Sequence, residues 1–178
     1  MARTSQSAAK RGGCVKKPLA TQSPGDRVEG PFDATAFLPP RVSAMRDLIL
    51  AAVDAHDTEL LRPAVERNET LPIFGRGEEQ PKRFADVIEA LKKRSHDGKG
   101  QEILSLLQAI FAQPFARLTQ GSSVTYVWPY AALKPDWPSN PDARLALLRC
   151  VRFTHLDSLT LDRVGIGADG TWHFFWAG

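Results

Sequence analysis

The hydrophobic pattern of this chain changes period at Pro114, and that change restricts the fold more than any other feature. Upstream, apolar residues recur at helical spacing. Ala44, Met45, Leu48, Ile49, Ala52 and Val53 make one stripe within 41–57, Phe84, Val87, Ile88 and Leu91 a second, and Ile103, Leu104, Leu107, Ile110 and Phe111 a third. Downstream, "FARLTQGSSVTYVWPY" (115–130) carries β-branched and aromatic residues in two runs around "QGSS", the mark of a hairpin. Helices first and strands afterwards predict an α+β fold: about four N-terminal helices packed on a small antiparallel sheet that ends in a C-terminal hairpin.

Turn and cap residues divide the pattern. Pro39 and Pro40 open the first helix, and Asp57 or Thr58 caps a second, short one that Pro63 is expected to end or kink. "TLPIFGRGEEQP" (70–81) reads as an irregular loop and "SHDGKG" (95–100) as a turn. Pro129 ends its strand or confines it to an edge. "DARLALLRCVRF" (142–153) returns to helical spacing, and "RVGIG" and "TWHFFWAG" flank "ADG" as a closing hairpin.

A chain of 178 residues, 43% hydrophobic, suffices for one domain with a single core, expected over 31–178. The first 30 residues have almost no large apolar side chain with which to offset the entropy of ordering, and they predict a disordered basic tail. Arg3, Lys10, Arg11, Lys16 and Lys17 fall in the first 17 residues, where there is no acid; the remainder has 18 basic against 20 acidic residues, so the net charge of +3 belongs to the tail. The body therefore lacks the basic excess of a nucleic-acid-binding domain, and no such partner is expected. No apolar run approaches the roughly 18 residues of a membrane span. Nor does an apolar run follow the basic start as in a signal peptide, which makes a cytoplasmic protein one expectation.

The segment "GIGADG" (165–170) fits G-x-G-x-x-G, but a phosphate loop needs a helix behind it and an acid about 20 residues on. Only "TWHFFWAG" follows, so no nucleotide is expected, and Asp169-Gly170 reads as a turn pair requiring positive φ. Cys14 and Cys150, with scattered His56, His96, His155 and His173, match neither a disulfide framework nor a metal spacing, so no metal or cofactor is expected. Cys150 near His155 and Asp157 raises thiol catalysis, yet Leu147, Leu148 and Val151 place it in a helical apolar stripe where a cysteine acts as a small hydrophobe. Asp54, Asp57, Glu59, Glu66, Glu69, Glu78 and Glu79 include the carboxylates a glycosidase pair would need, against a simpler reading as a solvated face.

Eleven of the 15 aromatic residues lie from Phe111 onward, including every Trp and both Tyr. Tyr126, Trp128, Tyr130, Trp137, Trp172, His173 and Trp176 suit either a stacking surface for a sugar or peptide or, more economically, the core of a small sheet. Strict alternation puts Trp172, Phe174 and Trp176 on one face and His173 and Phe175 on the other. The candidate binding residues are Trp128, Tyr130, Asp169, Trp172 and His173.

"TYVWPYAAL" (125–133), "RVGIGADGTWHFFWAG" (163–178), "ILAAVDAHDTELLRPAVERNETLPIFGRG" (49–77) and "SHDGKGQEILSLL" (95–107) together resemble a family of bacterial hypothetical proteins, largely alphaproteobacterial, with no established activity. The likeness spans about residues 40–178. Members usually begin with an export signal, so the resemblance implies a periplasmic or secreted protein; this chain has no such start, and it stops at Gly178 where relatives add an acidic residue. The resemblance carries over no site residue. The expected function is a non-enzymatic binding or interaction module of the cell envelope that uses an aromatic surface, its partner a cell-wall glycan or a protein. The alternative is a small hydrolase of a cell-wall polymer or polysaccharide, with a pair drawn from the carboxylates and His173.

Overall fold

The computed structural model describes residues 26–75, 80–134, 137–152 and 160–177. The architecture is α+β, with five α-helices among the described residues: α1 (Pro40–Asp54), α2 (Arg62–Glu66), α3 (Val87–Arg94), α4 (Gln101–Phe111) and α5 (Pro141–Leu148). Six strands, β1 (Arg27–Phe32), β2 (Ile73–Phe74), β3 (Phe115–Gln120), β4 (Ser123–Trp128), β5 (Asp162–Gly167) and β6 (Trp172–Ala177), form one sheet in the order β1-β3-β4-β5-β6-β2. No helix among the described residues is long and apolar enough to cross a membrane.

The helices form where the apolar stripes require a covered face. Met45, Ile49, Ala52 and Val53 of α1 are buried, as are Val87, Ile88 and Leu91 of α3 and Ile103, Leu104, Leu107, Ile110 and Phe111 of α4. Helices α1 and α4 lie against each other and against β5, and the core fills the space between them and the inner face of the sheet. That inner face carries Tyr126, Trp128, Val164, Ile166, Trp172 and Phe175. Capping follows ordinary hydrogen-bond chemistry. Asp57 accepts the Glu59 N–H at 2.9 Å to start the 3-10 turn Thr58–Leu61. Asn140 likewise accepts the Asp142 N–H at 2.8 Å at the head of α5.

The closing turn of "SHDGKG" is held by one carboxylate. Asp97 Oδ1 accepts the N–H groups of Lys99, Gly100 and Gln101 at 2.6, 2.8 and 3.3 Å, and its Oδ2 accepts that of Glu102 at 2.7 Å. Desolvation works to raise the Asp97 pKa, but the donors from Lys99 and Glu102, with Ser95 and Gly100 behind them, prevail and hold it at about 2.

Three expectations need correction. Pro63 does not end a helix; it occupies the first turn of α2, where its missing N–H has no intrahelical partner to lose. The 70–81 loop contains β2, which pairs parallel to β6, so the sheet is mixed rather than wholly antiparallel. Strand β1 begins at Arg27, inside the stretch read as tail; the rest of that stretch, through residue 25, lies outside the described residues. The expectation for Pro129 holds in one of its two forms: β4 is an interior strand that stops at Trp128, so the proline ends it.

Candidate functional site

Two of the five candidate residues belong to the core. Trp128 is 1% exposed and packs against Phe111 and Phe115 at ring separations of 5.2 and 5.1 Å, and Trp172 is 0% exposed and meets Phe74 edge-on at 6.1 Å. The Trp172 backbone is tied down as well. Its N–H donates to Asn68 Oδ1 and its carbonyl accepts from Asn68 Nδ2, both at 2.9 Å, with Asn68 itself buried. These tryptophans present no ring face to solvent.

The other rings of β6 are distributed by a β-bulge. β5 and β6 pair as Val164 with Phe175, Gly165 with Phe174 and Ile166 with Trp172, so the register slips between Gly165 and Ile166 and His173 is the extra residue. Strict alternation fails at that point. Trp172 and Phe175 both follow Ile166 and Val164 to the inner face, while the consecutive residues His173 and Phe174 both turn to the outer face and are half-buried there. The side chain of Trp176, grouped with Trp172 by alternation, lies outside the described residues.

The bulge also explains the glycines of the G-x-G-x-x-G pattern. A Cβ on Gly165 would stand 2.2 Å from Phe174 Cζ, and one on Gly167 would stand 2.4 Å from His173 Nε2 and 2.6 Å from Asp169 Oδ1. Each outer-face ring therefore lies over a glycine that leaves room for it. Gly170 has φ +91°, and a Cβ there would meet the Arg41 carbonyl oxygen at 2.9 Å, so the third glycine serves both the turn and a close backbone approach. A strand follows it, not a helix, and the anion-binding amides of a nucleotide loop are missing from this segment.

Asp169 and His173 are thus brought to the same point above Gly167. Asp169, exposed in the turn, accepts the Thr171 N–H at 2.9 Å. That bond holds its carboxyl below the usual carboxylate range, with the Thr171 hydroxyl and the neighbouring His173 adding in the same direction and burial opposing. Tyr130 is half-buried and separate from this pair; it follows β4, donates its N–H to the Pro114 carbonyl at 2.8 Å, and lays its ring edge beside Gly30 of β1.

Cys150 is 0% exposed, and burial first, then the nearby Asp162, pushes its thiol up to about 12. A neutral, enclosed thiol is a packing group; His155 and Asp157 lie outside the described residues. Of the acids singled out in the sequence, Asp57 caps a turn, Glu59 is held by Arg62 and Lys92 at 2.6 Å each, and Asp54, Glu66 and Glu69 are exposed. Glu78 and Glu79 lie outside the described residues. Among the described residues no set of three or more His, Cys, Asp or Glu is placed to hold a metal ion. A shallow groove of about 490 Å³ runs between Gln80–Lys82 and α3, where Asp86 on its wall is engaged by Arg83 at 2.8 Å. Sequence reasoning did not single out this groove, because its lining comes from a loop and a helix that no motif links.

Comparison with protein-family models, with curated proteins and with solved structures finds no match to this chain.

Proposed function

We propose that this protein is a non-enzymatic binding or interaction module, and that its contact surface is the outer face of the sheet at the closing hairpin. One observation carries this reading: the bulge that delivers two consecutive residues, His173 and Phe174, to the same face, where Gly165 and Gly167 leave room for their rings. Bulges re-aim side chains at sites where a regular strand would turn every second one away. The Asp169 carboxylate stands beside His173, and Ile73, paired with Phe174 across β2 and β6, is 49% exposed. A ring, a carboxylate and an apolar flank suit a pyranose of a cell-wall glycan, which offers an apolar face and hydroxyl donors, or a peptide of similar character. The stacking partners are His173 and Phe174 in this reading, with Tyr130 at a distance, and the buried Trp128 and Trp172 support them from behind.

The test is an NMR titration of the full chain with muropeptides and with neutral oligosaccharides, following the amides of Gly165, Gly167 and Asp169 and the His173 ring. Saturable shifts confined to these groups, abolished by His173→Ala, are expected. Unchanged spectra with every fragment would remove the glycan version. The hydrolase alternative has one observation in its favour, the meeting of Asp169 and His173 above Gly167. Release of soluble fragments from purified cell wall, lost in Asp169→Asn, would establish it in place of the binding reading.

A further inference from the structure

The two edges of the sheet are finished differently. At the β2 edge, side-chain amides take the place of a further strand. The Phe74 N–H donates to Gln80 Oε1 at 2.8 Å, and Gln80 Nε2 donates to the Phe74 carbonyl at 2.6 Å. Further along, Asn68 makes the same paired contact with Trp172. A carboxamide presents N–H donors beside a carbonyl acceptor, so it closes a ladder as a peptide unit would.

The β1 edge has no such closure among the described residues. Gln120 pairs with Ser123 across a two-residue turn, so these two exchange hydrogen bonds. Alternation then turns Thr119 and Arg117 toward β1, and their partners Arg27 and Glu29 turn back toward β3. The N–H and C=O of Val28, between them, point away from the sheet. Gly30-Pro31 ends the usable edge, since the register of β1 shifts between Glu29 and Phe32 and Pro31 has no N–H. What is left is a three-residue window, Arg27-Val28-Glu29, with opposite charges placed symmetrically about Val28, whose N–H and C=O have no backbone partner among the described residues.

We propose that this window recognises a second copy of the chain: two β1 strands pair antiparallel about a two-fold axis at Val28, each Arg27 facing the other copy's Glu29. A two-fold contact brings a surface against itself, and this charge order is its own complement. Any foreign strand would have to reproduce the reversed order, whereas an identical chain does so by symmetry. The charges favour one register, because a shift of two residues sets Arg27 against Pro31 in one direction and Arg27 against the other copy's Arg27 in the other. Within one chain Glu29 already contacts Arg27 at 2.8 Å and Arg117 at 3.1 Å, so the association is weak and salt-sensitive. This inference is independent of the glycan reading, which concerns another part of the sheet.

The experiment is sedimentation equilibrium of the full chain over a wide concentration range. Wild-type chain is expected to form a reversible dimer that dissociates at high salt. R27E puts acid opposite acid, and E29R/R117E, which keeps the bridge to β3 with its signs exchanged, puts base opposite base. Each is expected to weaken the dimer about ten-fold, since two symmetric cross-strand pairs turn from attraction to repulsion. An equimolar mixture of the two variants is expected to restore dimerisation as heterodimers. V28P, which removes the outward N–H and leaves the charges in place, is expected to abolish the dimer with the circular dichroism spectrum unchanged. A wild-type chain that stays monomeric throughout, or folded variants that dimerise as well as wild type, would overturn the proposal.

Discussion

Replacing Gly165 by alanine tests the account of the glycine pattern most stringently. The added methyl would lie 2.2, 2.3 and 2.7 Å from Phe174 Cζ, Cε1 and Cε2. Carbon atoms need about 3.5 Å or more, so the ring must move by more than about 1 Å off the sheet. The obstacle is a side chain and not backbone, so the strand pairing survives, but the ring gives up part of its burial. Overpacking of this kind costs about 1–3 kcal/mol, and the loss of glycine's freedom in the unfolded chain returns about 0.4–1 kcal/mol. The net expectation is a destabilisation of about 1–2 kcal/mol. For a chain of this length that lowers the melting temperature by about 3–6 °C. Chemical denaturation of wild type, G165A, F174A and the double variant forms the assay. With the ring removed the clash disappears, so G165A in the F174A background is expected to be neutral or mildly stabilising, a coupling of about 1–3 kcal/mol. A G165A chain more stable than wild type, or one equally destabilised in both backgrounds, would refute the reasoning.

Three further outcomes follow from the hydrogen-bond and burial pattern. Asn68→Ala leaves the buried N–H and C=O of Trp172 without their partners and is expected to destabilise by about 2–4 kcal/mol in urea unfolding, with Asn68→Asp recovering only the acceptor half. Asp97 has its folded-state pKa lowered, so its contribution is present above the unfolded carboxylate value near 3.9 and is lost as pH falls toward about 2. Melting temperatures measured from pH 5 to pH 2 should therefore fall more steeply for wild type than for Asp97→Asn, and Asp97→Ala should cost about 1 kcal/mol at neutral pH. In a Cys14→Ser background, Cys150 should resist iodoacetamide at neutral pH in native buffer and react once urea unfolds the chain, and Cys150→Ala should alter stability alone.

The parts of this fold that were legible in the sequence are those in which a periodic signal ran for several turns. Every residue expected inward on α4 is buried there, and of the stripe expected for α3 only Phe84, in the 3-10 turn Phe84–Asp86 before the helix, stays half-buried. On α1 the stripe was offset: Val42 is fully buried, while Ala44 is exposed and Leu48 half-buried. Both hairpins were legible because Gly121 and Gly170 supply the positive φ their turns require. Strand β1 was not, since "RVEGPF" mixes charge, glycine and proline and is a strand only by virtue of β3 beside it. Two-residue β2 is too short for any period, and it exists because β6 and Gln80 hold it from either side. The bulge at His173 left no trace in the letters: a run of Trp, His, Phe and Phe fits regular alternation as well as it fits a slip. That slip is what separated Phe174 from Trp172 and brought it to the side of His173, so the composition of the candidate surface was the least readable feature.

The most direct test of the account is a set of nuclear Overhauser contacts across β5 and β6 in the folded chain. The bulged register predicts Phe174 ring protons close to Gly165 Hα, His173 ring protons close to Gly167 Hα, and upfield ring-current shifts on the Gly165 Hα resonances. Contacts between the rings of Phe174 and Trp172 on one face, with the rings of His173 and Phe175 together on the other, would contradict it; the Trp172 indole N–H near the Phe174 carbonyl is common to the bulged structure and does not discriminate.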